Sequence, residues 1–549
     1  MAAQEAGSRR WWGLAGIALG VSMIVVDTTI VNVITASVID DLDITSSQTQ
    51  WIQESYAITF AALLLVLGRL ADLVGARRIF TAGLVVFGVT SLLAGLAPNG
   101  TVLILARFLQ GTGGAMLLPT SLSLLNQTFT GKARGQAFAL WGSTIGAATA
   151  VGPVIGGWLS EHASWRWAFG INVPLVVLVV FLTMTFIDPS PRTRARIDAP
   201  SALLSVVGLA ALAFGLVEGR SYGWVTSIKT FDLFGYAWTS NPSPVFVALV
   251  AGVLVLAVFT WRQIRLSRPG ASREPLMNTR LFAIPSFRNG NIAIVIIGLG
   301  EFGIIAVLPL WLQFTLNYSA LQAGVALLPL ALGSFFASGL SFGLQAKLSA
   351  LDLVRLGLAL EALALAGLGV VAATTSAPWW AIAIALFGYG IGVGFATAQV
   401  TNVVLADVPA SDAGSGSAIQ STFRQLGSAL GIAVLTTVFY SVLGKDVKSG
   451  LADSGLPHAQ IDQFANAVTQ SAGAVIQPFA ANPATAQVAD AARDAMANGV
   501  AIASWIAAGL LALGVLATVL IPAQAAGAGD QDGQHHEPMD EDRAGEPSR

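Results

Sequence analysis

Residues 68–80 read Gly68-Arg69-Leu70-Ala71-Asp72-Leu73-Val74-Gly75-Ala76-Arg77-Arg78-Ile79-Phe80, wedged between two long apolar runs. Gly68 and Gly75 are turn formers, free of the Cβ that restricts other residues. The runs on either side, 51–70 and 79–97, are each long enough to cross a bilayer as a helix. A short, basic, tightly turned connection between two membrane helices belongs on the cytoplasmic side. This stretch therefore speaks to both the class of the fold and its orientation.

Composition agrees with the membrane reading. The chain has 549 residues, 54% hydrophobic and only 11% charged, against about a quarter charged in soluble domains. Mean hydropathy is +0.71. Such a chain cannot cover itself with polar surface, and apolar segments near 20 residues long indicate helices rather than a barrel. The net charge of −2 gives no case for nucleic acid. The absence of Cys excludes disulfides and thiolate chemistry. His535 and His536 sit in a polar tail, so no fixed metal site and no cofactor is expected. Arg9 and Arg10 precede an apolar run as in a signal peptide. That run is too long for one and contains Asp27, so it reads as an uncleaved first helix.

Fourteen apolar segments are expected to span, at 13–35, 51–70, 79–97, 101–125, 136–159, 167–187, 201–218, 245–262, 289–312, 319–343, 353–373, 378–404, 417–441 and 498–521. With the N-terminus inside, and Arg69, Arg262 and Arg355 at span ends counted with the cytoplasm, 20 basic residues fall in cytoplasmic segments, 6 in outer segments and 2 (Arg107 and Arg424) within spans. The cytoplasmic set includes Arg192, Arg194, Arg196, Arg262, Arg265, Arg268, Arg273 and Arg280, whereas the first outer loop carries Asp40, Asp41 and Asp43. The positive-inside rule then places both termini in the cytoplasm.

The pattern repeats at an offset of about 275–279 residues. Gly343, Lys347, Asp352 and Arg355 follow the tenth span as Gly68 and its basic loop follow the second; Tyr389-Gly390-x-Gly392-x-Gly394 weakly echoes Gln110-Gly111-x-Gly113-Gly114. Two six-helix halves are expected, related by an axis along the membrane normal. The resulting division is a cytoplasmic N-terminus 1–12, a six-helix bundle 13–187 and a linker 188–288 with two inserted helices. A second bundle 289–522 follows, with an extended outer loop 442–497 that is partly helical, and then a disordered tail 523–549.

Several polar residues inside the spans invite a functional reading. The first span contains Asp27-Thr28-Thr29-Ile30-Val31-Asn32. An acid deep in a span is costly and is by default functional or paired. Asp27 is read as a titrating carboxylate, or else as a structural partner of Arg107; an ion pair that opens during a cycle would be both. Arg107 lies about 9 Å below the outer surface at 1.5 Å per residue, at a depth similar to Asp27, so the two can meet. Gly111, Gly113 and Gly114 permit close helix contact. The fifth span reads Gly142-x-x-x-Gly146 and then Gly152-Pro153-x-x-Gly156-Gly157. Gly and Pro at this density suit a bend and a close approach to the other half.

Together these strings resemble the fourteen-helix drug:proton antiporter branch of the major facilitator superfamily, over nearly the whole chain except the tail. The Asp27-x-Thr29-x-Val31-Asn32 string is similar to that branch's first-helix signature, Arg107-x-x-Gln110-Gly111 to its proton-transfer signature, and Gly152-Pro153-x-x-Gly156-Gly157 to its antiporter signature. The resemblance implies the major facilitator fold: an all-α membrane protein of two six-helix bundles plus two inserted helices. It implies Asp27 as the proton-coupling carboxylate and Arg107 as its partner. It also implies a cytoplasmic gate latch made by Asp72 with Arg77 and Arg78. Leu73 and Ala76 stand where basic residues are usual, with Arg69 and Arg78 as substitutes; Ala36 stands for a usual Pro and Ala148 for a usual Gly.

Three further charges lie in spans. Glu301, in Gly298-Leu299-Gly300-Glu301-Phe302-Gly303, falls near the repeat counterpart of Asp27 and reads as a second cavity acid for protons or cations, or else as a structural carboxylate. Arg424, in Phe423-Arg424-Gln425-Leu426-Gly427, reads as structural or gating. Glu361, in an eleventh span that the fold places at the periphery, reads as structural.

The expected function is proton-driven export of lipophilic or cationic compounds, that is, multidrug efflux. The alternative is narrow export of one endogenous metabolite, lipid or antibiotic. No Gly-x-x-x-x-Gly-Lys-Ser/Thr string supports ATP-driven transport. His162 and His458 lie outside the spans and form no catalytic cluster, so an enzyme is not expected; a non-transporting receptor is disfavoured by Asp27 and Arg107. Expected partners are drug-like small molecules, protons and membrane lipids, with a monomer as the functional unit and the bacterial inner membrane as its place.

Overall fold

A computed structural model describes residues 2–44, 46–190, 198–233, 236–268, 274–344, 347–409 and 412–519. Arg192, Arg194, Arg196, Arg273 and the tail 523–549 lie outside the described residues. Eighteen helices follow one another in the described chain: α1 (Ala2–Leu42), α2 (Ser46–Val74), α3 (Ala76–Gly95), α4 (Gly100–Thr128), α5 (Gly131–His162), α6 (Arg166–Gly170), α7 (Asn172–Phe186), α8 (Ala199–Tyr222), α9 (Pro244–Leu266), α10 (Pro285–Phe314), α11 (Ala320–Ala326), α12 (Leu328–Leu344), α13 (Ala350–Ala372), α14 (Trp379–Leu405), α15 (Ala413–Gly450), α16 (His458–Gln470), α17 (Ile476–Ala481) and α18 (Ala486–Thr518).

Among the described residues, thirteen candidate spans are long and apolar enough to cross a membrane, and a shorter apolar helix covers Leu321–Ala337. That shorter segment is the expected tenth span, broken between α11 and α12 at Leu327. Pro329 accounts for the break: it has no N–H to give and its ring crowds the carbonyl four residues back, at Val325. Pro174 has the same effect on the sixth span, which is divided into α6 and α7 at Ile171.

The one-residue link between α2 and α3 is Gly75, at φ 104°. Only glycine takes that conformation without strain. Its N–H donates to the Ala71 carbonyl at 2.8 Å and closes the end of α2.

The packing of the first six spans recurs in the last six. In the first set α1 packs on α5 and α7, α2 on α4, and α3 on α4 and α7. In the second α10 packs on α15 and α18, α12 on α14, and α13 on α14 and α18. The sets meet where α5 lies on α12 and α14, and where α2 lies on α15. The inserted pair α8–α9 is tied at one end by Asp198, which caps α8 through Ser201 N–H at 3.1 Å and accepts from Arg262 of α9 at 2.8 and 3.0 Å. Gly208 and Gly252 let the two backbones approach: a Cβ on Gly252 would lie 3.0 Å from the Leu212 nitrogen. α8 in turn packs on α2 and α15.

One feature differs from the all-helical expectation. Phe231–Leu233 and Tyr236–Trp238 form an antiparallel two-stranded ribbon, with Phe231 opposite Trp238. It sits over an aromatic cluster of Tyr222, Phe231, Trp51 and Phe214. The segment 442–497 is largely helical: α15 continues to Gly450, α16 and α17 follow, and α18 begins at Ala486. At the other end, α1 begins at Ala2, so the helix runs through most of the expected N-terminal segment 1–12.

Candidate functional site

Asp27 is wholly buried in α1. Its Oδ2 is ion-paired with Arg107 Nη1 of α4. Its Oδ1 accepts from Gln110 Nε2 at 2.8 Å and from Asn172 Nδ2 of α7 at 3.1 Å. Ser91 of α3 accepts from the same two amides, at 2.8 and 3.2 Å. Arg107 also donates to Gln110 Oε1 at 2.8 Å and to the Ile52 carbonyl at 3.1 Å. Its guanidinium lies over the Tyr56 ring, 4.4 Å from the centroid. The i, i+3 spacing puts Arg107 and Gln110 on one face of α4. Five spans thus converge on one carboxylate. A buried ion pair persists only when such hydrogen bonds satisfy what the pair leaves over.

The glycines of this region are contact surfaces. A Cβ on Gly111 would lie 3.1 Å from Thr59 Cβ, and one on Gly113 would lie 2.9 Å from the Phe87 nitrogen, so the two face α2 and α3 respectively. In α5, Gly152 abuts Thr29 and Gly156 abuts Ile30, one turn above Asp27 on α1. Gly157 faces Leu321 of α11, and Gly324 of α11 faces Pro153 at 3.1 Å. The Gly152, Pro153, Gly156 and Gly157 motif therefore touches α1 of its own bundle and α11 of the other.

At the Gly75 face the two bundles are closed against each other. The carboxylate of Asp72, in the last turn of α2, lies against Gly414 in the first turn of α15, facing the backbone N–H groups of that helix end. These N–H groups have no partner within their own helix, and the helix dipole favours an anion there. A Cβ on Gly414 would collide with the Asp72 carboxylate. Arg69 supports Asp72 at 3.6 Å and also pairs with Glu274. Arg77 and Arg78 do not take part, contrary to the expected latch. The Gly75 turn sends them onto α3, where Arg77 donates to the Met184 carbonyl at 3.0 Å and Arg78 is exposed. The residues that close this face are Arg69, Asp72 and the α15 N-terminus.

Toward the opposite face, which carries Asp41, a cavity of about 1300 Å³ separates the bundles. Thr29 and Val33 of α1, Pro153 of α5, Pro309 and Gln313 of α10 and Tyr440 of α15 are among its walls. Glu301 does not line it. It sits one turn deeper on the face of α10 that carries Ile305, Pro309 and Gln313, in a small pocket of about 20 Å³ shared with Ile305, Tyr389 and Arg424. Its Oε1 accepts from Thr397 at 2.9 Å, and Tyr389 OH donates to its backbone carbonyl at 3.0 Å. Glu361, on the eleventh span α13, is wholly buried, with its side chain packed on Gly392 of α14.

Sequence reading singled out Asp27 and Arg107, which the structure brings together, but passed over Asn172 and Ser91. Both are neutral. Asn172 alone carried a signal, a polar amide within an apolar run.

The Major Facilitator Superfamily profile matches residues 17–432. This chain belongs to the major facilitator superfamily. Among facilitators similar to it is a puromycin resistance protein of Streptomyces alboniger, 34% identical over 472 residues, covering 84% of this chain and 87% of the relative. Another is a methylenomycin A resistance protein of Streptomyces coelicolor, 30% identical over 429 residues, covering 78% and 85%. The solved human organic anion transporter MFSD10 shares the facilitator fold, with a TM-score of 0.57 over 93% of this chain and 99% of that one, at 12% identity.

Proposed function

We propose that this facilitator is a proton-coupled antiporter that exports lipophilic or cationic compounds by alternating access. The observation that carries the reading is the joint placement of the Asp27–Arg107 pair and the 1300 Å³ cavity. Thr29 and Val33 line that cavity within two turns of the buried carboxylate. A proton on Asp27 cancels the charge that holds Arg107, and Gln110 and Asn172 are then free to repack. The opening of such a pair is a local electrostatic event that can bias two packed arrangements of the bundles. Each proton entering down 100 mV supplies about 2.3 kcal/mol.

The proposed moving units are the bundles 13–187 and 289–522, joined by the linker 188–288 that carries α8 and α9. The charge distribution supports termini in the cytoplasm, and the resemblance to the drug:proton antiporter branch supports an inner membrane. On that orientation the described state is closed to the cytoplasm at Asp72 and has its cavity toward the outside. The similar resistance proteins support drug-like substrates, and a monomer in lipid is the proposed working unit. Narrow specificity for one antibiotic is the second reading, favoured by the single antibiotics for which those relatives are named.

Purified protein in proteoliposomes, with an imposed pH gradient and a panel containing ethidium, puromycin and neutral dyes, tests both. Substrate-dependent proton movement with several unrelated compounds supports broad export. Movement with one compound alone supports the narrow reading. No proton movement with any compound sinks the antiporter.

A further inference from the structure

The C-terminal bundle keeps a carboxylate where the N-terminal bundle has Asp27, but surrounds it differently. Asp27 and Gln110 recur about 274–279 residues on as Glu301 and Tyr389. Gly392 packs on Gly357 and Glu361 as its counterpart Gly113 packs on Gly83 and Phe87, so an acid stands where the first bundle has Phe87. The position that corresponds to Arg107 is Leu386, and the nearby cation, Arg424, comes instead from α15.

The charge count of the two cores follows. Around Asp27 one carboxylate meets one guanidinium, and both are hydrogen-bonded. In the second core two carboxylates meet one guanidinium. Glu301 accepts from Thr397, and Arg424 lines the same small pocket. Glu361 is wholly buried, and neither of its oxygens has a hydrogen-bond partner among the described residues. α13 packs on α14 and α18; Glu361 touches Gly392 of α14, one turn from Tyr389, which lines the small pocket together with Glu301 of α10 and Arg424 of α15. α18 carries Asp490, Arg493 and Asp494 near its start and no charge after them, and α12 carries none. A second anion here would stand beside Glu301 in a medium that cannot solvate it, which disfavours the ionised form.

We propose that Glu361 is a second proton-binding residue of this transporter, holding a proton in the described state and passing it to the Glu301 carboxylate when the floor of the cavity at Ile305 opens. The proton leaves the Glu361 carboxyl, which becomes the anion facing Arg424, and binds Glu301, which becomes neutral; one proton moves and no other bond changes. The route to the cavity is the face of α10 on which Glu301, Ile305, Pro309 and Gln313 succeed one another. The C-terminal bundle then carries a proton independently of Asp27. This inference rests on the antiporter reading only for its part in transport; the proton itself is a property of the resting protein.

Two measurements separate these levels. The first is infrared spectroscopy of the purified protein near neutral pH, compared with Glu361→Gln, Glu361→Asp and Glu301→Gln. The parent should show the carbonyl stretch of a buried protonated acid. Glu361→Gln should lose it, Glu361→Asp should keep it with a shifted frequency, and Glu301→Gln should lose it at a lower pH than the parent, because the neighbouring anion that disfavours the ionised form is gone. An identical band in the parent and in folded Glu361→Gln overturns the proposal, as does a parent with no such band. Should Glu361→Gln fail to fold, retention of the band in Glu361→Asp, at the parent's frequency, overturns it equally. The second is the proton-to-ethidium ratio in proteoliposomes, expected to fall by one in Glu361→Gln. An unchanged ratio with the band lost leaves Glu361 a protonated residue outside the cycle and overturns the transport step alone.

Discussion

At the scale of single residues, the Asp27–Arg107 pair obeys the rule that a buried charge is tolerated only with a partner and a full set of hydrogen bonds. Removing one member is therefore asymmetric in its effects. Arg107→Ala leaves a carboxylate inside the bundle without its cation, a change worth about 3–5 kcal/mol where the remaining charge cannot neutralise. Arg107→Lys keeps the charge but loses the planar fork that reaches Asp27, Gln110 and the Ile52 carbonyl together. We expect transport to fall in the order parent, Lys, Ala, and thermal stability in detergent to fall in the same order; Ala behaving like the parent in both assays would remove Arg107 from the mechanism. Asp27→Asn keeps the shape and the capacity to accept a hydrogen bond while discarding the titrating group. It should insert and fold, yet fail to concentrate ethidium against its gradient. Continued uphill ethidium export by a normally expressed Asp27→Asn protein would refute the coupling role. Both residues were legible in the sequence because a charge in an apolar run has few innocent explanations. Asn172 and Ser91 were not, because a neutral polar residue in a span usually bonds its own helix, as Thr90 does with the Val86 carbonyl.

At the scale of elements, turn chemistry made the α2–α3 connection readable, whereas the breaks near Pro174 and Pro329 were not read from the sequence. Gly75 marks the turn between α2 and α3, and its φ of 104° shows why a Cβ is unwelcome there. Gly75→Ala should lower stability by about 1 kcal/mol or more, read as a drop in thermal midpoint. The ribbon at Phe231–Leu233 and Tyr236–Trp238 was hidden, since three-residue strands have no periodicity to read. So was the partner of Asp72: a helix N-terminus offers backbone N–H groups, which no side-chain motif announces, and the sequence pointed instead to Arg77 and Arg78. At the opposite face, Asp41 at the end of α1 is paired with Arg166 and accepts from Trp165 Nε1 at 3.0 Å. The Arg166 hydrogen bond, then that of Trp165, hold its carboxyl below the ordinary aspartate range. With a depressed folded value, this contact contributes above the unfolded pKa of about 3.9 and is lost as pH falls through the folded value. The difference in thermal midpoint between the parent and Asp41→Asn should stay constant from pH 7 to 5 and narrow below about pH 4. A gap that already closes by pH 6 would show that the contact does not act this way. Because Asp41 is solvent-exposed, the gap itself should be small.

At the scale of the whole molecule, the described state is asymmetric: one face is sealed where Asp72 meets the α15 N-terminus, and the other holds the cavity. The sequence foresaw the repeat, because its motifs recur at a nearly constant offset, but which face is open depends on how two packed surfaces compete, and that has no local signature. The competition is open to experiment. Hydrogen bonds to a charged group contribute about 1.5–3 kcal/mol, and about 1.4 kcal/mol shifts a two-state ratio tenfold. Asp72→Asn retains an acceptor oxygen for the N–H groups of Gly414 and Ser415 but loses the charge that the helix end and Arg69 favour. The state with the Gly75 face closed should therefore lose roughly a factor of ten in population relative to its alternative. The chain has no Cys, so single reporters can be placed without background. Gln313→Cys lines the cavity, and Ala418→Cys is buried where Gly68 meets α15. An impermeant maleimide applied from the Asp41 face should label Gln313→Cys readily and more slowly once Asp72→Asn is added. A permeant maleimide should label Ala418→Cys only in the Asp72→Asn background. If both labelling rates are indifferent to Asp72, the carboxylate caps α15 without holding the two bundles together, and the seal must come from the packing of Gly68 on Ala418 instead.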